Sequence, residues 1–92
     1  MHIINGIAYA EPLITVVGIQ AQPDHRLWLR FSTGEEKTVD MTPLLSAGVF
    51  AQLRDTQTFT RVALDGGVPT WPDVNIDVSP EYLYQHSQPF NG

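Results

Sequence analysis

Apolar and polar residues alternate from His25 to Phe31. Leu27, Leu29 and Phe31 fall on one side of an extended chain, and Arg26, Trp28 and Arg30 on the other. A period of two is the signature of a strand with one buried face. The stretch before it, Leu13 to Gln20, is rich in β-branched residues and reads as a strand, with Gly18 as a candidate bulge. Pro23-Asp24 marks the turn between them. After Phe31, Ser32-Thr33-Gly34 makes a short loop with a glycine suited to positive φ. Glu35 to Met41 then returns with Lys37, Val39 and Met41 opposite Glu36, Thr38 and Asp40. These segments predict a three-stranded antiparallel meander.

Downstream the pattern shortens. Thr42-Pro43 opens a helix with a hydroxyl N-cap and proline at the first helical position. Gly48 interrupts it, and Val49, Phe50 and Leu53 share a face of a short helix reaching Arg54. Asp55-Thr56 caps a further turn carrying Phe59. Strands are expected at Thr60–Leu64 and Val68–Trp71, joined at Asp65-Gly66-Gly67. After Pro72-Asp73 breaks the second strand, Ile76 and Val78 read as a brief extended piece, and Ser79-Pro80-Glu81 starts a final helix. The expected fold is α+β, in the order β-β-β-α-β-β-α, with an antiparallel sheet of about five strands and short helices on one face. Its expected core is Leu27, Leu29, Phe31, Leu44, Phe50, Leu53, Phe59, Val62, Leu64, Trp71, Ile76 and Leu83. Residues 1–12 read as a leader arm, in which Asn5-Gly6 between apolar residues is a hairpin or a plain turn. Residues 13–92 read as one domain, and the polar tail at 86–92 is expected to fray.

Composition narrows the function classes. The 92 residues are 42% hydrophobic and 16% charged, which suits one small folded domain. There is no cysteine, which rules out disulfides, thiolate metal sites and a cysteine nucleophile. A net charge of −5 disfavours general binding of nucleic-acid backbones. No apolar run is long enough for a membrane span, and no basic segment precedes the first apolar residues as in a signal peptide. A cytoplasmic location is the expectation.

Several blocks taken in order resemble a known family. They are Leu27-Trp28-Leu29-Arg30-Phe31 with Gly34 and Asp40, then Pro43-Leu44-Leu45 with Gly48-Val49-Phe50. Leu53-Arg54-Asp55 with Phe59-Thr60-Arg61-Val62 follows, then Thr70-Trp71 and Asp77-Val78-Ser79-Pro80-Glu81-Tyr82-Leu83-Tyr84. The chain is thereby similar to the small bacterial family called domain of unknown function 2442, over Leu13 to Tyr84. Val74, where a glycine or small polar residue commonly sits, and Pro69, within an expected strand, depart from the family pattern. The resemblance implies a compact α+β domain with no catalytic residue to carry over. Some members are fused to a helix-turn-helix segment, which this chain is expected to lack. Members are often encoded beside another small protein, an arrangement that resembles a toxin–antitoxin pair.

The residues themselves carry little catalytic chemistry. Asp73-x-Asn75-x-Asp77 imitates the start of a calcium loop, but Val78 replaces the glycine and Tyr84 the closing glutamate. Asp77 is better read as capping or bracing the turn before the Ser79 helix. His2, His25 and His86 lack partners at metal-ligand spacing, and Asp24-His25 is a turn rather than a dyad. No catalytic, metal or cofactor site is assigned, and no cofactor is expected. Arg26-x-Trp28-x-Arg30 is the notable pattern. A tryptophan between two arginines on one strand face can anchor a protein partner, stack a base, or pack beneath the leader arm. Trp71, Asp77 and Tyr82 are the pocket candidates.

The resulting expectation is a non-enzymatic protein-interaction module, antitoxin-like or an accessory half of a two-protein system, that forms a homodimer. The alternative is a small-ligand-binding or enzymatic domain at Trp71, Asp77 and Tyr82, and a weaker one is a DNA-binding accessory domain.

Overall fold

The run Val16–Gln22 forms β1, and the alternating segment Arg26–Phe31 forms β2 beside it in a computed structural model that describes residues 14–46 and 48–90. The leader and its Asn5-Gly6 turn lie outside the described residues. Glu36–Asp40 forms β3, and the three strands make the expected antiparallel meander. The register slips between Val16 and Gly18, so Val17 is the unpaired bulge residue and lies 58% exposed. β1 runs on to Gln22, where Pro23-Asp24-His25 turns the chain. Asp24 (φ 64°) and His25 (φ 58°) are both left-handed there, a conformation that Asp and His tolerate better than most residues.

The connection from β3 differs in detail from its expected opening. Thr42–Ser46 and Gly48–Arg54 are 3₁₀ turns rather than α-helix. At the first, the Asp40 carboxylate accepts from the Thr42 N–H at 2.9 Å, so the acid two residues upstream caps the turn. Helix α1, Thr56–Thr60, is capped by Asp55, which accepts from both the N–H and the hydroxyl of Thr58. That cap carries the helix through Thr60, where a strand start was expected. The next strand, β4, is confined to Ala63–Asp65.

β4 turns through Gly66 (φ 59°) and Gly67 (φ 86°) into β5, Val68–Trp71. Two successive positive φ values define the hairpin turn that glycine pairs favour. The Pro72–Val74 turn ends with Asn75 in the left-handed region, and β6, Ile76–Asp77, pairs back on β5. Ser79 caps α2, Pro80–His86, through the Tyr82 N–H. The hydroxyl of Ser79, not Asp77, therefore does the capping. The tail expected to fray from residue 86 instead supplies β7, Gln88–Pro89, which pairs Thr38 with Gln88 and Lys37 with Pro89. The α+β antiparallel architecture thus divides into two sheets, ordered β1-β2-β3-β7 and β4-β5-β6. A bond from the Val16 N–H to the Gly67 carbonyl at 2.9 Å joins them.

One core lies between the sheets and the helical turns. Leu27, Leu29, Phe31, Leu53, Phe59, Trp71, Ile76 and Leu83 are buried as expected, and Leu44, Phe50, Val62 and Leu64 pack partly buried against them. Val16, Val39, Met41, Leu45 and Val78 complete the core. No helix among the described residues is long and apolar enough to cross a membrane.

Candidate functional site

Because Leu27, Leu29 and Phe31 are fully buried, Arg26, Trp28 and Arg30 point to the opposite, outer face of the first sheet. Across the ladders, Arg26 sits between Gln22 and Asp40, Trp28 between Gln20 and Thr38, and Arg30 between Gly18 and Glu36. The three residues selected from sequence therefore form the middle row of a face three strands wide. Trp28 is half-buried. Its indole leans over Gly18, where an added Cβ would stand 3.3 Å from the ring. The reading that places Trp28 beneath the leader arm concerns residues outside the described ones.

Each arginine faces a carboxylate on β3. Arg26 lies 4.0 Å from Asp40 and Arg30 lies 3.9 Å from Glu36. All four side chains remain between 39% and 54% exposed, so water screens these pairs and each adds little stability. Hydrogen bonds from Thr42, the backbone N–H foremost, hold the Asp40 carboxyl below its ordinary range. The other cations are also engaged. Lys37 donates to the Tyr84 carbonyl at 3.2 Å and stands 3.8 Å over the Tyr84 ring. Arg54 donates to the Leu45 carbonyl at 2.8 Å, and Arg61 pairs with Asp73 at 3.0 Å. All five Lys and Arg residues of the chain thus have an internal partner.

The pocket candidates separate. Trp71 is fully buried, and its Nε1–H donates to the Phe59 carbonyl at 2.8 Å, which makes it a core residue. Asp77 and Tyr82 do come together, in a cavity of about 250 Å³ completed by Leu44, Phe50, Val78 and Ser79. That volume falls just below the roughly 300–1,000 Å³ usual for ligand sites. A larger cavity, of about 500 Å³, lies between the β1 end, the Asp24-His25 turn and α1. His25 sits in its wall with Nε2 3.0 Å from the Arg54 carbonyl and its ring edge-on to Phe59. Sequence reasoning missed this cavity, since nothing local signals that a turn after Pro23 meets Thr56 and Thr60.

The calcium-like triplet is dispersed in role: Asp73 holds Arg61, Asn75 takes the left-handed turn position, and Asp77 pairs with Thr70 in the sheet. Among the described residues no three His, Asp or Glu side chains converge as metal ligands would. His86 places Nδ1 2.8 Å from the Tyr82 carbonyl and stacks on that ring. Tyr84 donates its hydroxyl to Glu35, which holds that carboxyl down and pushes the phenol up.

Comparison with known proteins adds a neighbour and a family. The fold matches the crystal structure of a protein from Nitrosomonas europaea ATCC 19718, provisionally named a DNA-binding protein. The TM-score is 0.67 at 26% identity, over 82% of this chain and 49% of the neighbour. This chain therefore spans about half the length of that protein. A search of curated proteins found no match. The family described as protein of unknown function (DUF2442) matches residues 16–89, and the chain belongs to that family.

Proposed function

We propose that this domain is a non-enzymatic protein-interaction module, antitoxin-like or an accessory half of a two-protein system in the cytoplasm, that docks through the outer face of β1–β3. The observation that carries this reading is Trp28, a half-buried indole at the centre of a sheet face whose flanking charges are exposed. Large aromatics flanked by arginine are the side chains that dominate binding energy at protein interfaces. Arg26 and Arg30 act as rim groups that fix register and steer association.

A DNA-binding accessory role draws support from the name of the structural neighbour. The charge of this chain weighs against it. At a net charge of −5, with Asp40 and Glu36 set in a row beside Arg26 and Arg30, the face carries no net positive charge to replace the counterions of a phosphate backbone. A ligand-binding role at Asp77 and Tyr82 rests on the small cavity they share.

The test is capture from an extract of the native host by wild type and by Trp28→Ala, with circular dichroism showing that both are folded. Recovery of one defined protein by wild type alone supports the module. If no protein is captured while a small molecule copurifies, and Tyr82→Ala releases it, the ligand-binding role replaces it. Retention of DNA that Arg26→Ala and Arg30→Ala abolish would favour the DNA-binding role.

A further inference from the structure

The pattern of charge on the outer face identifies an occupant. We propose that a second copy of this chain docks on it face to face, about a two-fold axis that runs parallel to β2 and β3 and midway between them. This inference rests on the reading of that face as an interaction surface and names its partner.

Positive charge lies in one row, Arg26 and Arg30 on β2, and negative charge in the neighbouring row, Asp40 and Glu36 on β3. The rows are in register, with Arg26 opposite Asp40, Arg30 opposite Glu36, and Trp28 opposite Thr38 between them. A half-turn about the proposed axis exchanges the two rows and leaves the heights along the strands unchanged. Arg26 of one copy then stands over Asp40 of the other, Arg30 over Glu36, and Trp28 over Thr38. The face is its own electrostatic complement under that operation, which is the condition for an isologous interface. A uniformly charged partner meets a repelling row wherever it lies across this face.

The internal pairs leave capacity for this. At 4.0 and 3.9 Å they are looser than the 3.0 Å pair of Arg61 and Asp73, and a guanidinium carries five N–H donors. A second carboxylate can therefore be accepted without breaking the first contact. Gly18 leaves space beside the Trp28 ring, so the indole lies low over β1 and lets the two faces approach. Three strands about 4.8 Å apart make a small face, at the low end of protein interfaces, so association in the micromolar range is expected. Exposed charge pairs make it sensitive to salt.

Charge exchange tests the geometry. Arg26→Glu with Arg30→Glu gives an acidic face; Glu36→Arg with Asp40→Asn gives a basic one while keeping an acceptor for the Thr42 N–H. The expected result in sedimentation velocity is a wild-type dimer at micromolar concentration that weakens at least tenfold in molar salt. Each variant alone should sediment as a monomer, and their equimolar mixture as a heterodimer. Homodimers of either variant as tight as wild type, or a mixture of folded variants that stays monomeric, would overturn the proposal. A wild type that remains monomeric at a hundred micromolar overturns it without reference to any variant. If that monomer still captures a host protein through Trp28, the interaction reading survives and only the second copy is excluded.

Discussion

Trp71 and Trp28 show how one residue type takes two roles from its strand position. Trp71 ends β5 facing inward, with its ring tilted 5.8 Å from Phe59 and its N–H on the Phe59 carbonyl. Trp71→Phe leaves that buried carbonyl without its donor and should cost about 1–3 kcal/mol in a urea melt. Leu29→Ala removes a fully buried side chain from the middle of β2 and should cost about 2–5 kcal/mol by the same measurement. Gly67 combines φ 86° with a Cβ position only 2.7 Å from the Thr15 Cβ. Gly34 has φ 94° but open space around it. Gly67→Ala should therefore lower Tm more than Gly34→Ala, since it adds a clash to the backbone strain. The inward set Leu27, Leu29 and Phe31 was legible in sequence because strict alternation leaves a single face for the core. The environment of Trp71 was not, because its partner carbonyl belongs to a helix twelve residues away.

Among the elements, α1 shows how a short helix depends on its cap. Hydrogen bonds from Thr58, the hydroxyl foremost and then the N–H, hold the Asp55 carboxyl below its ordinary value. Because the folded pKa is depressed, the stabilisation is present above the unfolded value, about pH 4, and is lost as pH falls through the lower folded one. Asp55→Asn retains a cap and should remove the share of the acid loss that Asp55 contributes, in thermal melts from about pH 5 down to about pH 2. Asp55→Ala should lower Tm at neutral pH as well. Asp40 and Glu35 shift in the same direction, through Thr42 and Tyr84 respectively, and add to the wild-type acid loss. The existence of the helical turns was readable from Pro43, Asp55 and Ser79. Their lengths were not, since the choice between α-helix and 3₁₀ turn at Thr42–Ser46, and between helix and strand at Thr60, is decided by packing against the sheets. β7 was illegible for a related reason. Its two residues gain their strand geometry from Lys37 and Thr38, with no apolar pattern of their own.

For the whole molecule, family membership and the neighbour's fold account for the architecture, and the function rests on surface chemistry. The chain has an acidic surface, its cations are internally engaged, and Trp28 stands on a face of alternating charge rows. Arg26, Trp28 and Arg30 could be placed together from sequence because a strand's period alone brings them to one side. The matching row of Asp40 and Glu36 required the register between β2 and β3. Trp28 is one of two tryptophans, so Trp71→Phe leaves it as the single fluorescent indole. The most direct measurement is acrylamide quenching of Trp28 in that folded variant, from nanomolar to high micromolar protein. The outer-face account predicts that quenching falls as the assembly forms, and that Arg30→Glu restores it. Quenching that stays constant across the range, while sedimentation shows that an assembly has formed, would contradict it.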